Sequence, residues 1–336
     1  MRIGELGENL IFILSQPRSG STLLQRIIAR HADVHTTAEP WLLLPLIYTL
    51  RSDGHQAEYD ANLAHIALTD FLGSIPEGIL RYKHEIRRTA VAMYNAAVIT
   101  AGKLIFLDKT PRYYFIIPEL YELFPQAKFI CLYRHPLAIL NSILETRVKK
   151  HWILLARYHH DLVTAPFKLL AAADFLSTAG YTFRYEDLVA DPVEQVSRLF
   201  AFLQLDFDPE YLNYASQAPP SGKMGDQSTI HAYQEPVSER SDRWQSAFTG
   251  AHEQHYARAY ADQLGKETFT RLGYPYEHID QLLTHFTGEH IPPEESWQAL
   301  MSPRPANRER LFYAELALLE HRRLIQKLKN IFRRSK

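Results

Sequence analysis

What is scarce in this chain of 336 residues narrows its class first. There is a single cysteine, Cys131, so no disulfide can form within the chain and no cysteine-built zinc site can be assembled. It lies in the apolar run Lys128-Phe129-Ile130-Cys131-Leu132, where a free thiol behaves as a small buried hydrophobe. An excess of charge of either sign is also missing, since 37 Lys and Arg face 38 Asp and Glu. No global field recruits nucleic acid or an anionic membrane, and any anion site has to be local. Apolar runs long enough to span a bilayer are absent. The first apolar stretch starts at Leu10 and ends too soon for a secretory leader. The expectation is a cytoplasmic protein with no transmembrane segment and no nucleic-acid partner. Internal repeats and low-complexity segments are lacking too.

What is present is an alternation of short apolar strands and helical patterns. Leu10–Leu14, Leu104–Leu107, Phe129–Tyr133 and Tyr181–Tyr185 are apolar on both sides of the pleat, as strands of a covered parallel sheet are. Leu23, Leu24, Ile27 and Ile28 recur at helix spacing after the first run, and Leu137, Ile139, Leu140, Ile143 and Leu144 after the third. The class is α/β: an open parallel sheet with helices on both faces, whose ligands sit at the carboxyl ends of the strands. A hydrophobic content of 46% supports one large domain, read as residues 1–300. Residues 40–102 form a helical insertion, broken near Pro76 and Gly78 and assigned to an acceptor pocket. The tail over 301–336 carries Leu311, Leu318, Ile325 and Phe332 at seven-residue spacing, so 308–336 reads as one helix that packs on its own domain, pairs two chains as a homodimer or touches a membrane surface.

The turn after the first strand reads Gln16-Pro17-Arg18-Ser19-Gly20-Ser21-Thr22-Leu23 and feeds straight into a helix. Backbone N–H groups of such a turn converge where the positive end of the helix lies, which suits a phosphate or sulfate oxyanion. Arg18, Ser21 and Thr22 add side-chain donors. The nucleoside-triphosphate loop Gly-x-x-x-x-Gly-Lys-Ser/Thr would need a lysine and a first glycine that are not there, which argues against ATP or GTP with magnesium. The plainer alternative is an N-cap in which Ser21 or Thr22 serves the first amides. In its setting, though, the segment resembles the 5′-phosphosulfate loop of the sulfotransferases that use 3′-phosphoadenosine-5′-phosphosulfate (PAPS), a P-loop-like fold.

Three more segments carry that resemblance. Arg134-His135-Pro136-Leu137-Ala138-Ile139-Leu140-Asn141-Ser142 is similar to the family's Arg-x7-Ser motif for the 3′-phosphate, where an arginine fork can bind bidentately and a serine can close the site. Phe183-Arg184-Tyr185-Glu186-Asp187-Leu188 looks like the strand and helix whose tyrosine packs by the adenosine, which implies that role for Tyr185. Gly222-Lys223-Met224-Gly225-Asp226 is similar to a loop that closes over the nucleotide, with Lys223 as the phosphate contact. The resemblance implies PAPS binding by Arg18, Ser19, Gly20, Ser21, Thr22, Leu23, Arg134, Ser142, Tyr185 and Lys223, with 3′-phosphoadenosine-5′-phosphate (PAP) as product.

Sulfuryl transfer to a hydroxyl needs a base, a cation at the leaving oxygen and in-line geometry. Many cytosolic relatives place a histidine base in a Lys-Thr-His segment; here it reads Asp108-Lys109-Thr110-Pro111, so the base lies elsewhere. Tyrosylprotein sulfotransferases carry a glutamate base twenty-one residues after their loop arginine, and Glu39 stands at that spacing from Arg18. Carbohydrate sulfotransferases of the superfamily also use carboxylates. The implied catalytic set is Glu39 as base, with Lys109 and Arg18 at the bridging oxygen. His31, His35, His135, His159 and His160 follow no zinc spacing, so no metal is expected, and only His35 or His135 is assigned to the pocket lining. The acceptor is read as a small or medium-sized hydroxyl compound: a carbohydrate, lipid or other metabolite. The alternatives are an ATP-dependent small-molecule kinase of P-loop fold, or an inactive nucleotide-binding scaffold.

Overall fold

The computed structural model describes residues 2–54, 57–216, 220–222, 224, 236, 241–283 and 291–302. Lys223 and the helix read over 308–336 lie outside the described residues. Five strands form the sheet: β1 (Leu10–Ser15), β2 (Val34–Thr36), β3 (Ile105–Lys109), β4 (Lys128–Tyr133) and β5 (Gly180–Arg184). Every pairing is parallel, in the order β2-β3-β1-β4-β5. All six residues of the central β1 are buried, which is why its sequence runs apolar without alternating. The three-residue edge strand β2 was not foreseen: only Val34 of its Val-His-Thr is buried, so it leaves no apolar signature.

The helices that matter for position are α1 (Ser21–Ile28), α2 (Leu43–Tyr48), α3 (Ala61–Gly73), α4 (Gly78–Thr100), α5 (Ile117–Leu123), α6 (Pro136–Ile143), α7 (Ala165–Leu176), α8 (Tyr185–Ala190), α9 (Pro192–Leu203) and α10 (Ala251–Leu272). Two compact units divide them. The first holds the whole sheet, as residues 1–135, 165–243 and 271–273.

On one face of that sheet Ile11, Ile13, Leu107, Ile130 and Leu132 meet Leu24, Ile27 and Ile28 of α1 and Val196, Leu199 and Phe200 of α9. A two-turn helix is marginal alone, but burying each of the three α1 side chains contributes about 1.5–3 kcal/mol, enough to hold α1 in place. One residue along, Phe12 points to the opposite face, with its ring 5.3 Å from Phe129 and 5.9 Å from Phe124. Helix α7 packs against β1, β4 and β5. It belongs to the described helical stretch His160–Ala179, which by length and composition alone could cross a membrane; here Leu169, Leu170, Ala172 and Leu176 are buried.

The insertion over 40–102 is helical, as its pattern indicates. Its break falls between Gly73 and Gly78, where α3 hands over to α4. Gly78 is obligatory there, since a Cβ would lie 2.0 Å from the Leu72 carbonyl oxygen.

The second unit contains residues 136–164, 244–270 and the described residues from 274 onward. In it α6 runs into a π turn, Leu144–Val148, which ends at Lys149 in the left-handed region (φ 49°). Its aromatic centre stacks Trp152 on His252 at 4.7 Å and sets Trp297 5.4 Å from Tyr260.

Candidate active site

The carboxyl end of β1 turns through Arg18 (φ 73°) and Gly20 (φ 86°) before α1 begins. Gly20 is the residue before the first helical turn, and no side chain caps the helix. The N-cap alternative for Ser21 and Thr22 is therefore not realised. A Cβ on Gly20 would lie 2.4 Å from the Tyr185 ring, so glycine is required both by the backbone angle and by that packing. The hydroxyls of Ser15 and Ser19 are buried and find no hydrogen-bond partner among the described residues. Buried hydroxyls without partners beside an uncapped helix N-terminus make a ready anion cradle, because a bound oxyanion would satisfy both.

A second corner forms where β4 and β5 end. Arg134 donates from Nη1 to the Arg18 carbonyl oxygen at 2.9 Å, and its guanidinium carbon lies 4.5 Å from the Tyr185 ring centroid. The His135 amide donates to Glu186 Oε1 at 3.0 Å, which ties the start of α8 to the end of β4. Thus Arg18, Gly20, Arg134 and Tyr185, distant in sequence, share one end of the sheet. Ser142 lies on α6, in the second unit.

The third group meets on the other side of the same turn. Strand register sets Lys109 opposite Ile13 and therefore on the face that α1 covers. Its side chain is almost fully buried, and Nζ donates to Glu39 Oε1 at 2.9 Å, with Thr22 Oγ1 at 3.5 Å. The other carboxylate oxygen of Glu39 accepts from Trp41 Nε1 at 3.1 Å. Gln25 of α1 fixes the segment leading to Glu39, donating from Nε2 to Thr36 Oγ1 and to the Thr37 carbonyl, each at 2.7 Å. The Ala38 amide donates to the Ser221 carbonyl at 2.8 Å, which brings the Ser221–Gly222 stretch against the residue before Glu39.

One residue before Lys109 the chain faces the other way. Asp108 is fully buried and accepts from Tyr94 Oη (2.7 Å), Tyr113 Oη (3.0 Å) and Thr110 Oγ1 (2.8 Å). Burial pushes its carboxyl up to about 6, against the pull of the three hydroxyls and of Lys109. Tyr113 Oη in turn accepts from the Leu43 amide at the start of α2, so the Asp108 network pins the chain just beyond Trp41. Sequence reading singled out neither Asp108 nor the Trp41 and Gln25 bonds. A signal existed for Asp108 alone, a carboxylate closing an apolar strand.

Two of the histidines have other partners. His35 sits on β2 with its ring 5.8 Å from Phe106, and burial, then Lys103, lower its pKa. His31 accepts from the Asp33 amide and packs by Phe200 and Tyr211. Among the described residues no three His, Cys, Asp or Glu side chains are grouped to hold a metal ion.

Comparison with known proteins bears on what this arrangement does. Residues 10–209 match the family described as "Sulfotransferase family". The nodulation protein NoeE of Sinorhizobium fredii is 30% identical over 289 residues, covering 79% of this chain and 66% of that protein. Protein-tyrosine sulfotransferase A of Caenorhabditis elegans is 28% identical over 209 residues, covering 61% and 52%. The chain thus spans between about half and two thirds of the length of these two curated relatives. The solved sulfotransferase domain from the curacin biosynthetic pathway aligns over 79% of this chain and 97% of its own length, with a TM-score of 0.55 at 22% identity, a likeness of fold.

Proposed function

The chain belongs to the sulfotransferase family, and on that footing we propose that it moves the sulfuryl group of PAPS onto a hydroxyl of a small or medium-sized acceptor, with Glu39 as the base. The observation that carries this reading is the 2.9 Å contact of Lys109 Nζ with Glu39 Oε1 beside Thr22, in the first turn of the uncapped α1. It sets a carboxylate and an ammonium group side by side next to that helix start, which supports the reading.

Bound PAPS supplies an activated sulfuryl group on a phosphosulfate. The uncapped turn with Ser15, Ser19, Ser21, Thr22 and the Leu23 amide suits that phosphosulfate, and Arg134 with Tyr185 suits the 3′-phosphate and adenosine end. Ser142 and Lys223 enter the proposal on the family resemblance. Glu39 takes the proton of the acceptor hydroxyl, for which general-base catalysis contributes about 10²–10⁴-fold. Lys109 and Arg18 offset the negative charge that grows on the departing oxygen, and both already lie at the turn. Pro111, standing where many relatives have histidine, leaves the carboxylate to do this work.

Calorimetry with PAP and steady-state turnover of PAPS test the reading together. Wild type should bind PAP, Arg134→Ala should lose at least about 1.5–3 kcal/mol of that affinity as a charge-assisted contact does, and Glu39→Gln should bind PAP normally while turning over about 10²–10⁴-fold more slowly. Binding of ATP but not PAP by the wild type would overturn the donor assignment. Unimpaired turnover by Glu39→Gln would overturn the base.

A further inference from the structure

Glu39 is held by two donors from opposite sides, one on each carboxylate oxygen: Lys109 Nζ on Oε1 and Trp41 Nε1 on Oε2. A single donor leaves a carboxylate free to rotate about its last side-chain bond. Two donors on separate oxygens fix the plane, and each oxygen keeps a second lone pair for an incoming hydroxyl proton. Lys109 already has an evident task as the cation of the site, whereas Trp41 has none in the reading above.

Three features make the Trp41 bond more than a local satisfaction of an indole N–H. Trp41 is only partly buried, so water can reach its surroundings and burial alone does not compel the bond. Its backbone stands at φ 53°, in the left-handed region that a bulky residue rarely adopts, and such outliers persist where surrounding structure imposes them. Pro40, between donor and acceptor, has its own φ locked by its ring, so the Glu39-Pro40-Trp41 unit has little freedom to relax. Beyond Trp41 the chain is anchored by the Leu43 amide on Tyr113 Oη, and the guanidinium carbon of Arg112 lies 5.7 Å from the indole centroid. The indole is thus held from behind while its N–H meets Glu39.

We propose that Trp41 is a positioning residue for the reaction: its indole N–H orients the Glu39 carboxylate toward the acceptor hydroxyl. The inference rests on Glu39 being the base. Trp41→Phe tests it, since phenylalanine keeps an aromatic ring beside Arg112 and deletes only the donor. The expected result is kcat lowered about tenfold, the rate equivalent of one hydrogen bond to a charged group, with KM for PAPS, PAP affinity and Tm unchanged. In a Glu39→Gln background the same substitution should change kcat less than about twofold, because the group it orients no longer accepts a proton. A tenfold loss that persists in the Glu39→Gln background, or a wild-type kcat for Trp41→Phe, overturns the proposal. Full activity of Glu39→Gln would instead sink the underlying base assignment, so the two failures are told apart.

Discussion

Lys109 is a lysine with 1% of its surface exposed, at the end of a strand where a lone lysine would ordinarily reach into water. Its desolvation is offset by Glu39, whose side chain keeps 12% exposure. Removing one partner of such a pair leaves the other charge buried alone, which costs about 3–5 kcal/mol when water is fully shut out. Because water retains some access to Glu39, Lys109→Met should cost about 2–3 kcal/mol, at or just below the lower end of that range. Urea unfolding checks it, and the double variant Lys109→Met/Glu39→Gln should recover most of that stability while staying inactive. At this scale the sequence was informative where residue type and spacing suffice: Arg18, Thr22, Glu39, Lys109, Arg134 and Tyr185 all lie at one end of the sheet. It was silent where the role depends on a direction in space. Nothing in the string Glu39-Pro40-Trp41 says that Trp41 turns left-handed and reaches back to the carboxylate. Nor does Asp108-Lys109 say which neighbour faces α1 and which faces the tyrosines; pairing with β1 decides that.

Among the elements, the unit that does most is β1, its turn and α1. Gly20 joins them under two constraints, a φ of 86° and a Tyr185 ring so near that a Cβ would sit at 2.4 Å. Either the ring or the turn must move when a Cβ is added, and the proposed PAP site draws on both. Gly20→Ala should therefore weaken PAP binding at least about tenfold, a cost of 1.4 kcal/mol, while far-ultraviolet circular dichroism stays that of the wild type, because α1 is held by Leu24, Ile27 and Ile28 rather than by its cap. Normal PAP affinity in this variant would mean that the turn does not contact the nucleotide. The longer strands were legible from apolar runs bounded by turns, since burial on both faces leaves an unbroken pattern. Strand β2 was not, being an edge of three residues with His35 and Thr36 half-exposed. The continuation of α6 into a π turn was equally hidden, because Leu144 keeps the helical apolar spacing through the point where the backbone changes.

For the molecule as a whole, two of the points where the chain passes between its two units carry no linker to announce them. The chain leaves the first unit at Pro136, inside the Arg134–Ser142 segment, and returns at Ala165 within a continuous helical stretch, with no shift in composition at either point. Stability as a function of pH is the whole-molecule property that the first unit's core should govern, through Asp108. Its carboxyl is pushed up to about 6 by burial from an ordinary value of 3.8, so between those values the folded chain holds a proton that the unfolded chain has released. Stability then falls as pH rises wherever the folded state binds more protons. The contribution is fully present below about pH 4, declines through the window up to about 6 and is gone above it, with an amplitude on the order of 3 kcal/mol for a shift of this size. Asp108→Asn removes the titrating group, and its stability should lack this decline, so the difference in unfolding free energy between the two proteins must change across the window from pH 4 to 6. Urea unfolding of both proteins at half-unit steps of pH decides it. Parallel curves for variant and wild type would show that Asp108 keeps its charge throughout, held by its three hydroxyls and Lys109 in spite of burial.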